Sequence, residues 1–158
     1  MIGFLGEYEA TVDAKGRFLL PAGFKRKLPE GSPGTFVISR GFEECLTLYP
    51  MATWEPLYEQ LSKLNDFESK VRDFKRYFLN GATEVEMDTA GRLLIPPNLK
   101  QHASIGKDII LAGYTGKIEI WDVNKRKEIF DSINSERFSQ LANEVWPFGA
   151  QIYLNEPC

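Results

Sequence analysis

The sequence predicts an α+β fold with pseudo-two-fold symmetry, built from two tandem β-rich repeats and decorated by helices. Three observations carry this. The frame Asp-x-x-Gly-Arg, three apolar residues, then Pro occupies residues 13–21 and returns at residues 88–96, 75 positions on. Each copy is preceded by period-two alternation, the mark of a half-buried strand. Each half ends in apolar residues at helical spacing. Two copies are too few for a solenoid, so each half is expected to complete the other.

Tyr8, Ala10 and Val12 alternate with Glu7, Glu9 and Thr11, and predict the first strand. Thr83, Val85 and Met87 match them in the second copy, opposite Glu84 and Glu86. The Asp-x-x-Gly turn comes next. Asp13 and Asp88 can accept hydrogen bonds from turn amides, and Gly16 and Gly91 can take positive φ. Phe18-Leu19-Leu20 and Leu93-Leu94-Ile95 are read as return strands, stopped by Pro21 and Pro96 because Pro cannot donate to a ladder. Proline suits a first helical turn, so short helices are expected over 22–28 and 97–103.

Residues 35–38 then parallel residues 108–111, and Leu46, Leu48 and Tyr49 parallel Ile118, Ile120 and Trp121. The offset has shrunk to 72. The Pro- and Gly-bearing segment 29–34 is the expected site of the three-residue difference. Each half thus reads strand, turn, strand, short helix, strand, turn, strand. Helices follow. Met51, Trp54, Leu57, Tyr58, Leu61 and Leu64 share one face, and Phe67, Val71, Phe74 and Phe78 continue after a break near Asn65-Asp66. In the second half Ile129, Ile133, Phe138, Leu141 and Val145 do so less cleanly. These faces are expected to cover the β-structure or to make subunit contacts. The boundaries read as 7–54 for the first repeat, 55–80 for a helical segment, 83–126 for the second repeat and 127–158 for a C-terminal helix and tail, in one intertwined unit. Residues 146–149 are expected to form an irregular docked end.

The chain has 158 residues, 43% of them hydrophobic, enough for a real core. There is no apolar run of transmembrane length and no signal-like start. Cys45 and Cys158 are too few for a disulfide framework or a zinc site, so a reducing cytoplasm is expected. Net charge is −3, which alone opposes a nucleic-acid partner. The distribution reverses that inference. Residues 14–29 and 89–107 contain no acid, although about five of the 22 acids would fall there at the chain's average density. The repeated motif therefore sits in the electropositive part of an acidic protein.

Asp13 and Arg17 are four apart, as are Asp88 and Arg92. One reading is a brace in which the carboxylate holds the turn and the arginine. The other is that Arg17 and Arg92, with Lys15, meet phosphates or base edges through their forked donors. The readings are compatible. Lys25, Arg26, Lys27 and Lys100 are further phosphate-binding candidates. Catalytic chemistry finds little support. His102 is the sole histidine and reads as a helix-end residue. Cys45 is flanked by Glu43 and Glu44, which would raise its thiol pKa. No Gly-rich phosphate loop occurs, and no catalytic residue, metal ligand, cofactor or small-molecule substrate is assigned.

The doubled frame resembles the core of SpoVT/AbrB-type DNA-binding modules. Two such modules with a helical segment after each, from about Gly6 to Val145, are similar to the MraZ family of bacterial regulators. The resemblance implies a swapped-hairpin β-barrel, built by the two copies in one chain. It also implies a ring-like homo-oligomer on repeated boxes in double-stranded DNA, upstream of a division and cell-wall gene cluster containing its own gene, mainly as repressor and located at the nucleoid. Asp13, Arg17, Asp88 and Arg92 occupy the family motif. Ala90 stands where the first copy has Lys15, so the first copy is expected to contribute more. An antitoxin-like interaction module of the same barrel class is the alternative. Such modules usually carry one copy and a disordered tail.

Overall fold

The structure is a computed structural model that describes residues 3–149. Its elements, in chain order, are β1 (Glu7–Thr11), β2 (Arg17–Leu19), α1 (Ala22–Lys25), β3 (Thr35–Arg40), β4 (Leu46–Pro50), α2 (Met51–Ser62) and α3 (Ser69–Gly81). The second half follows the same order with β5 (Thr83–Glu86), β6 (Arg92–Leu94), α4 (Pro97–His102), β7 (Asp108–Tyr114), β8 (Lys117–Asp122), α5 (Val123–Asp131) and α6 (Ser135–Val145). The fold is α+β, with antiparallel strands and two tandem repeats. Two compact units are present, one ending at Val123 and one beginning at Asn124.

A six-stranded sheet runs β1-β7-β8-β4-β3-β5, and a two-stranded ribbon pairs β2 with β6. The large sheet is open, with β1 and β5 at its edges. Of the six strand pairings only β3–β4 and β7–β8 lie within a repeat. The other four join one repeat to the other: β1 to β7, β5 to β3, β4 to β8 and β2 to β6. The expected return strands form, but each finds its ladder partner in the other copy. An isolated repeat would keep its one internal hairpin and leave its first two strands unpaired, so neither half is expected to hold its shape alone.

The registers also correct the placing of the length difference between the halves. Thr83 opposes Ile38, and its repeat-mate Tyr8 opposes Leu111, so Ile38 and Leu111 are equivalent at an offset of 73. Leu48 opposes Ile38 and Ile120 opposes Leu111, an offset of 72. Two residues are therefore lost before β7, and one in the turn before β8. There the chain reverses tightly through Thr115, at φ 55°.

The core lies between one face of the large sheet and the inner face of the ribbon. Phe36, Ile38, Leu46, Leu48, Ile109, Leu111, Ile118 and Ile120 meet Phe18, Leu20, Leu93 and Ile95 there. Phe24 of α1 and Leu99 of α4 close the sides. Each such side chain contributes about 1.5–3 kcal/mol when fully buried. A three-residue two-stranded ribbon is marginal by itself, and it is Phe18 and Leu93, each 1% exposed, that pin it to the core.

On the sheet's other face, α2 packs on β3 and β4, and α3 packs on β3. Trp54 stacks on Phe78 at 5.9 Å and tilts against Tyr49 at 5.3 Å. Arg40 Nη1 donates to the Tyr77 carbonyl at 2.5 Å and ties β3 to α3. The helices cover the sheet incompletely, since Leu64, Phe67 and Phe74 stay exposed. In the second unit, Asn134 Oδ1 accepts from the Arg137 amide at 2.8 Å and caps α6. The Arg126 guanidinium sits 3.6 Å over the Phe130 ring. The expected irregular docked end is corrected: residues 147–149 are helical, and Trp146 and Phe148 are exposed. The rest of the tail, 150–158 with Cys158, lies outside the described residues.

Candidate nucleic-acid interface

The two Asp-x-x-Gly-Arg turns are near copies of one another. Asp13 Oδ1 accepts from the Lys15 and Arg17 amides, both at 2.9 Å. Asp88 Oδ1 accepts from the Ala90 amide at 3.0 Å and the Arg92 amide at 2.8 Å. The second carboxylate oxygen takes the guanidinium Nε–H, from Arg17 at 2.9 Å and from Arg92 at 3.0 Å. Asp therefore serves the backbone with one oxygen and the arginine with the other. Gly16 and Gly91 both sit at φ +85°, which side chains rarely adopt. The amides of Arg17 and Arg92, above all, hold the two carboxyls below their ordinary pKa, against an opposing effect of desolvation.

The ribbon brings these turns together. Leu20 donates to the Gly91 carbonyl at 3.0 Å, and Ile95 to the Gly16 carbonyl at 2.8 Å. Arg92 Nη1 lies 4.0 Å from Asp13 Oδ2, a link between copies that a separation of 79 positions hides in the sequence. Arg17 and Arg92 are both half-buried. With Nε committed to the brace, the two terminal nitrogens of Arg17 and Nη2 of Arg92 remain for an external acceptor.

The outlying cations separate. Lys15 is exposed on the first turn. Lys25 Nζ stands 3.9 Å from where a Cβ on Gly91 would be, so the first repeat supplies a cation beside the second turn. A lysine thus stands at each turn, and both lysines come from the first repeat. Lys27 points elsewhere, lining an 810 Å³ groove with Pro29, Ala52 and Pro56 near the start of α2. Arg26 is exposed and Lys100 half-buried. A cleft of about 490 Å³ opens beside the ribbon, lined by Tyr8, Thr11, Asp13, Arg17, Leu19 and Arg92.

One feature of the ribbon is not read from the sequence. The apolar triplets are expected as return strands with no face assigned, and in the structure Phe18, Leu20, Leu93 and Ile95 point inward while Leu19 and Leu94 face outward and are exposed. Period two within the triplet was the available signal.

Elsewhere, Cys45 is fully buried, and its thiol is pushed up to about 12, first by burial and then by Glu119 and Glu43. The direction expected from Glu43 holds, but the larger cause is desolvation, and Glu119 comes from the neighbouring strand. Donor atoms of Glu43, Cys45 and Glu119 lie within 4.8 Å of one another. A thiol this reluctant to ionise is a poor metal ligand at neutral pH. His102 ends α4 half-buried, 6.5 Å from the Tyr77 ring. Among the described residues, no helix is long and apolar enough to cross a membrane.

Fold and ribbon together define a tandem-repeat α+β protein in which two arginine-bearing turns share one surface. Residues 3–77 and 78–146 each match the family model described as "MraZ protein, putative antitoxin-like". The chain is 44% identical over 141 residues to the transcriptional regulator MraZ of Cytophaga hutchinsonii, covering 89% of this chain and 93% of the relative. It is 43% identical over 146 residues to that of Christiangramia forsetii, covering 92% and 94%. The corresponding regulator of Lachnoclostridium phytofermentans is 40% identical, over 92% of this chain and 97% of its own. The chain belongs to the MraZ family, whose members named here are transcriptional regulators.

Proposed function

We propose that this chain binds double-stranded DNA sequence-specifically through the β2–β6 ribbon. It would act in the cytoplasm, at the nucleoid, mainly as a repressor of the division and cell-wall operon containing its own gene. The observation that carries the reading is the ribbon itself: it places Arg17 and Arg92 on one surface with Lys15 and Lys25 at its turns. Arg17 and Arg92 are the base- or phosphate-contacting groups, positioned by Asp13 and Asp88. Lys15 and Lys25 are phosphate contacts, with Arg26, Lys27 and Lys100 as outlying ones. The strand exchange is read as a swapped-hairpin barrel, with functional repeats 7–54 and 83–126, the segment 55–80 between them and 127–158 after them.

One protomer offers few cations, and sequence-independent phosphate contacts alone give Kd of only ~10⁻⁴–10⁻⁶ M. A ring of protomers engaging repeated promoter boxes makes each further contact intramolecular, which raises avidity by ~10²–10⁴. The exposed apolar faces of α2 and α3 support an oligomer. Phe42, Leu57, Leu61, Leu64 and Phe74 line a cavity of about 300 Å³ there.

Fluorescence anisotropy tests this, with duplexes from the region upstream of the chain's own gene carrying one protected box or several, at two salt concentrations. Wild type should bind the multi-box duplex far more tightly, and Arg17→Ala should lose tight binding while keeping its melting temperature. Wild-type affinity in Arg17→Ala would remove the site assignment. Equal affinity for one box and several would remove the avidity argument. The family's description also names an antitoxin-like character, the alternative of a protein-interaction module. Solution mass separates the two, since a dimer fits that alternative and a large ring fits the repeated-box regulator.

A further inference from the structure

We propose that Leu19 and Leu94 are specificity-determining residues that read thymine C5-methyl groups in the major groove. The inference rests on the reading that the ribbon binds duplex DNA. Period two sends Phe18 and Leu93 into the core and leaves Arg17, Leu19, Arg92 and Leu94 facing out. The register sets Arg17 opposite Leu94 and Leu19 opposite Arg92. The outward face is thus a quartet, with two guanidinium groups on one diagonal and two isobutyl groups on the other.

The leucines are more exposed than the arginines. Leu19 is 57% exposed and Leu94 45%, whereas the side chains of Arg17 and Arg92 are 27% and 35% exposed. The cause is the brace, since each arginine's Nε is tied to its turn carboxylate and the fork is drawn toward the ribbon. Leu94 is also steadied from the opposite turn, with Cδ1 3.6 Å from the Cβ position of Gly16. Single exposed leucines are ordinary on a protein surface. Two at pseudo-symmetric positions, interleaved with the paired arginines and flanked by lysines, form a surface of mixed chemistry. The flanking cations complement phosphates. Paired strands are ~4.8 Å apart, and the major groove, ~12 Å wide, admits a two-stranded ribbon. Apolar groups exposed on the outward face of such a ribbon are placed against the base edges. The only apolar group those edges present in that groove is the thymine methyl.

Replacing thymine by uracil removes that methyl and leaves base pairing and phosphate charge in place. Anisotropy is measured for the full chain on the fragment upstream of its own gene, synthesised with thymine or with uracil throughout. Wild type should bind the uracil duplex more weakly, by about fourfold per methyl contact, the equivalent of ~0.8 kcal/mol. Leu19→Ala/Leu94→Ala should bind both duplexes alike, with the affinity wild type shows for uracil. Both leucines face water, so the variant's melting curve should match wild type. Equal wild-type affinity for the two duplexes would overturn the proposal while leaving the DNA reading intact. So would a double variant that kept the thymine preference, or one that lost only its oligomeric mass, which would assign the leucines to protein contact. No binding of wild type to either duplex would sink the DNA reading itself.

Discussion

Asp13 Oδ2 holds Arg17 Nε at 2.9 Å and lies 4.0 Å from Nη1 of Arg92. The first repeat's carboxylate thus reaches the arginines of both repeats. It links the two turns across the ribbon, in addition to the Asp88 carboxylate that already pairs with Arg92 at 3.0 Å.

That position sets two effects against each other in Asp13→Asn. Loss of a negative charge beside the proposed phosphate path should raise affinity for random duplex a few-fold. Loss of the brace should blur the arginine geometry, reducing preference for the upstream fragment over random duplex by about tenfold, on the scale of one lost directional contact. Competition anisotropy measures both, and an unchanged preference would show that the brace does not orient the contact.

Acid stability should depend on the same carboxylates. Both are depressed in the folded state, so their contribution is complete above the unfolded value near 4 and lost as pH falls through the lower folded values. Thermal melts from about pH 6 down to about pH 2 should show a shallower acid decline in Asp13→Asn/Asp88→Asn. An identical decline would mean the brace adds no pH-dependent stability.

Gly91→Ala should destabilise by about 1–3 kcal/mol through backbone conformation alone. Nothing but the flexible Lys25 Nζ, at 3.9 Å, meets the added methyl, so collision contributes little. Chemical denaturation should show the change in midpoint with no change in slope.

Lys25 and Lys27 should separate in salt titrations. Lys25→Gln should reduce the slope of log K against log salt by about 1, as expected for one lost phosphate contact. Lys27→Gln should reduce it by clearly less, as expected of an outlying contact whose side chain lines the groove beside α2.

The helical face should govern assembly. Phe67 is 96% exposed, so Phe67→Ser should leave the melting temperature of the dispersed protomer within error. If that face joins protomers, Phe67→Ser with Phe74→Ser should lower the mass seen by light scattering. Unchanged mass would move the interface elsewhere.

Much of the architecture was legible in the residues. The doubled Asp-x-x-Gly-Arg-apolar-Pro frame marked both turns, because bracing carboxylate, positive-φ glycine and terminating proline are local requirements with few substitutes. The break between α2 and α3 showed in the polar Asn65-Asp66 step, and the helices after Pro21 and Pro96 in the prolines themselves. Strand partners were not legible. A ladder hydrogen bond carries no side-chain signature, so nothing in Arg17-Phe18-Leu19 names Arg92-Leu93-Leu94 as its mate. The one-residue loss before β8 was in the sequence all along, since residues 35–38 match 108–111 at an offset of 73 while Leu46 matches Ile118 at 72.

What the sequence determined by itself was therefore the repeated unit, its turn chemistry and the acid-free segments around it, all set by residues near in the chain. Only the tertiary structure decided that the two turns share one ribbon, that Lys25 stands beside Gly91, and that Leu19 and Leu94 face outward with the arginines. Those relations follow from packing Phe18 and Leu93 into a common core. Burial of two side chains on opposite strands fixes the register between them, and with it every residue that points the other way.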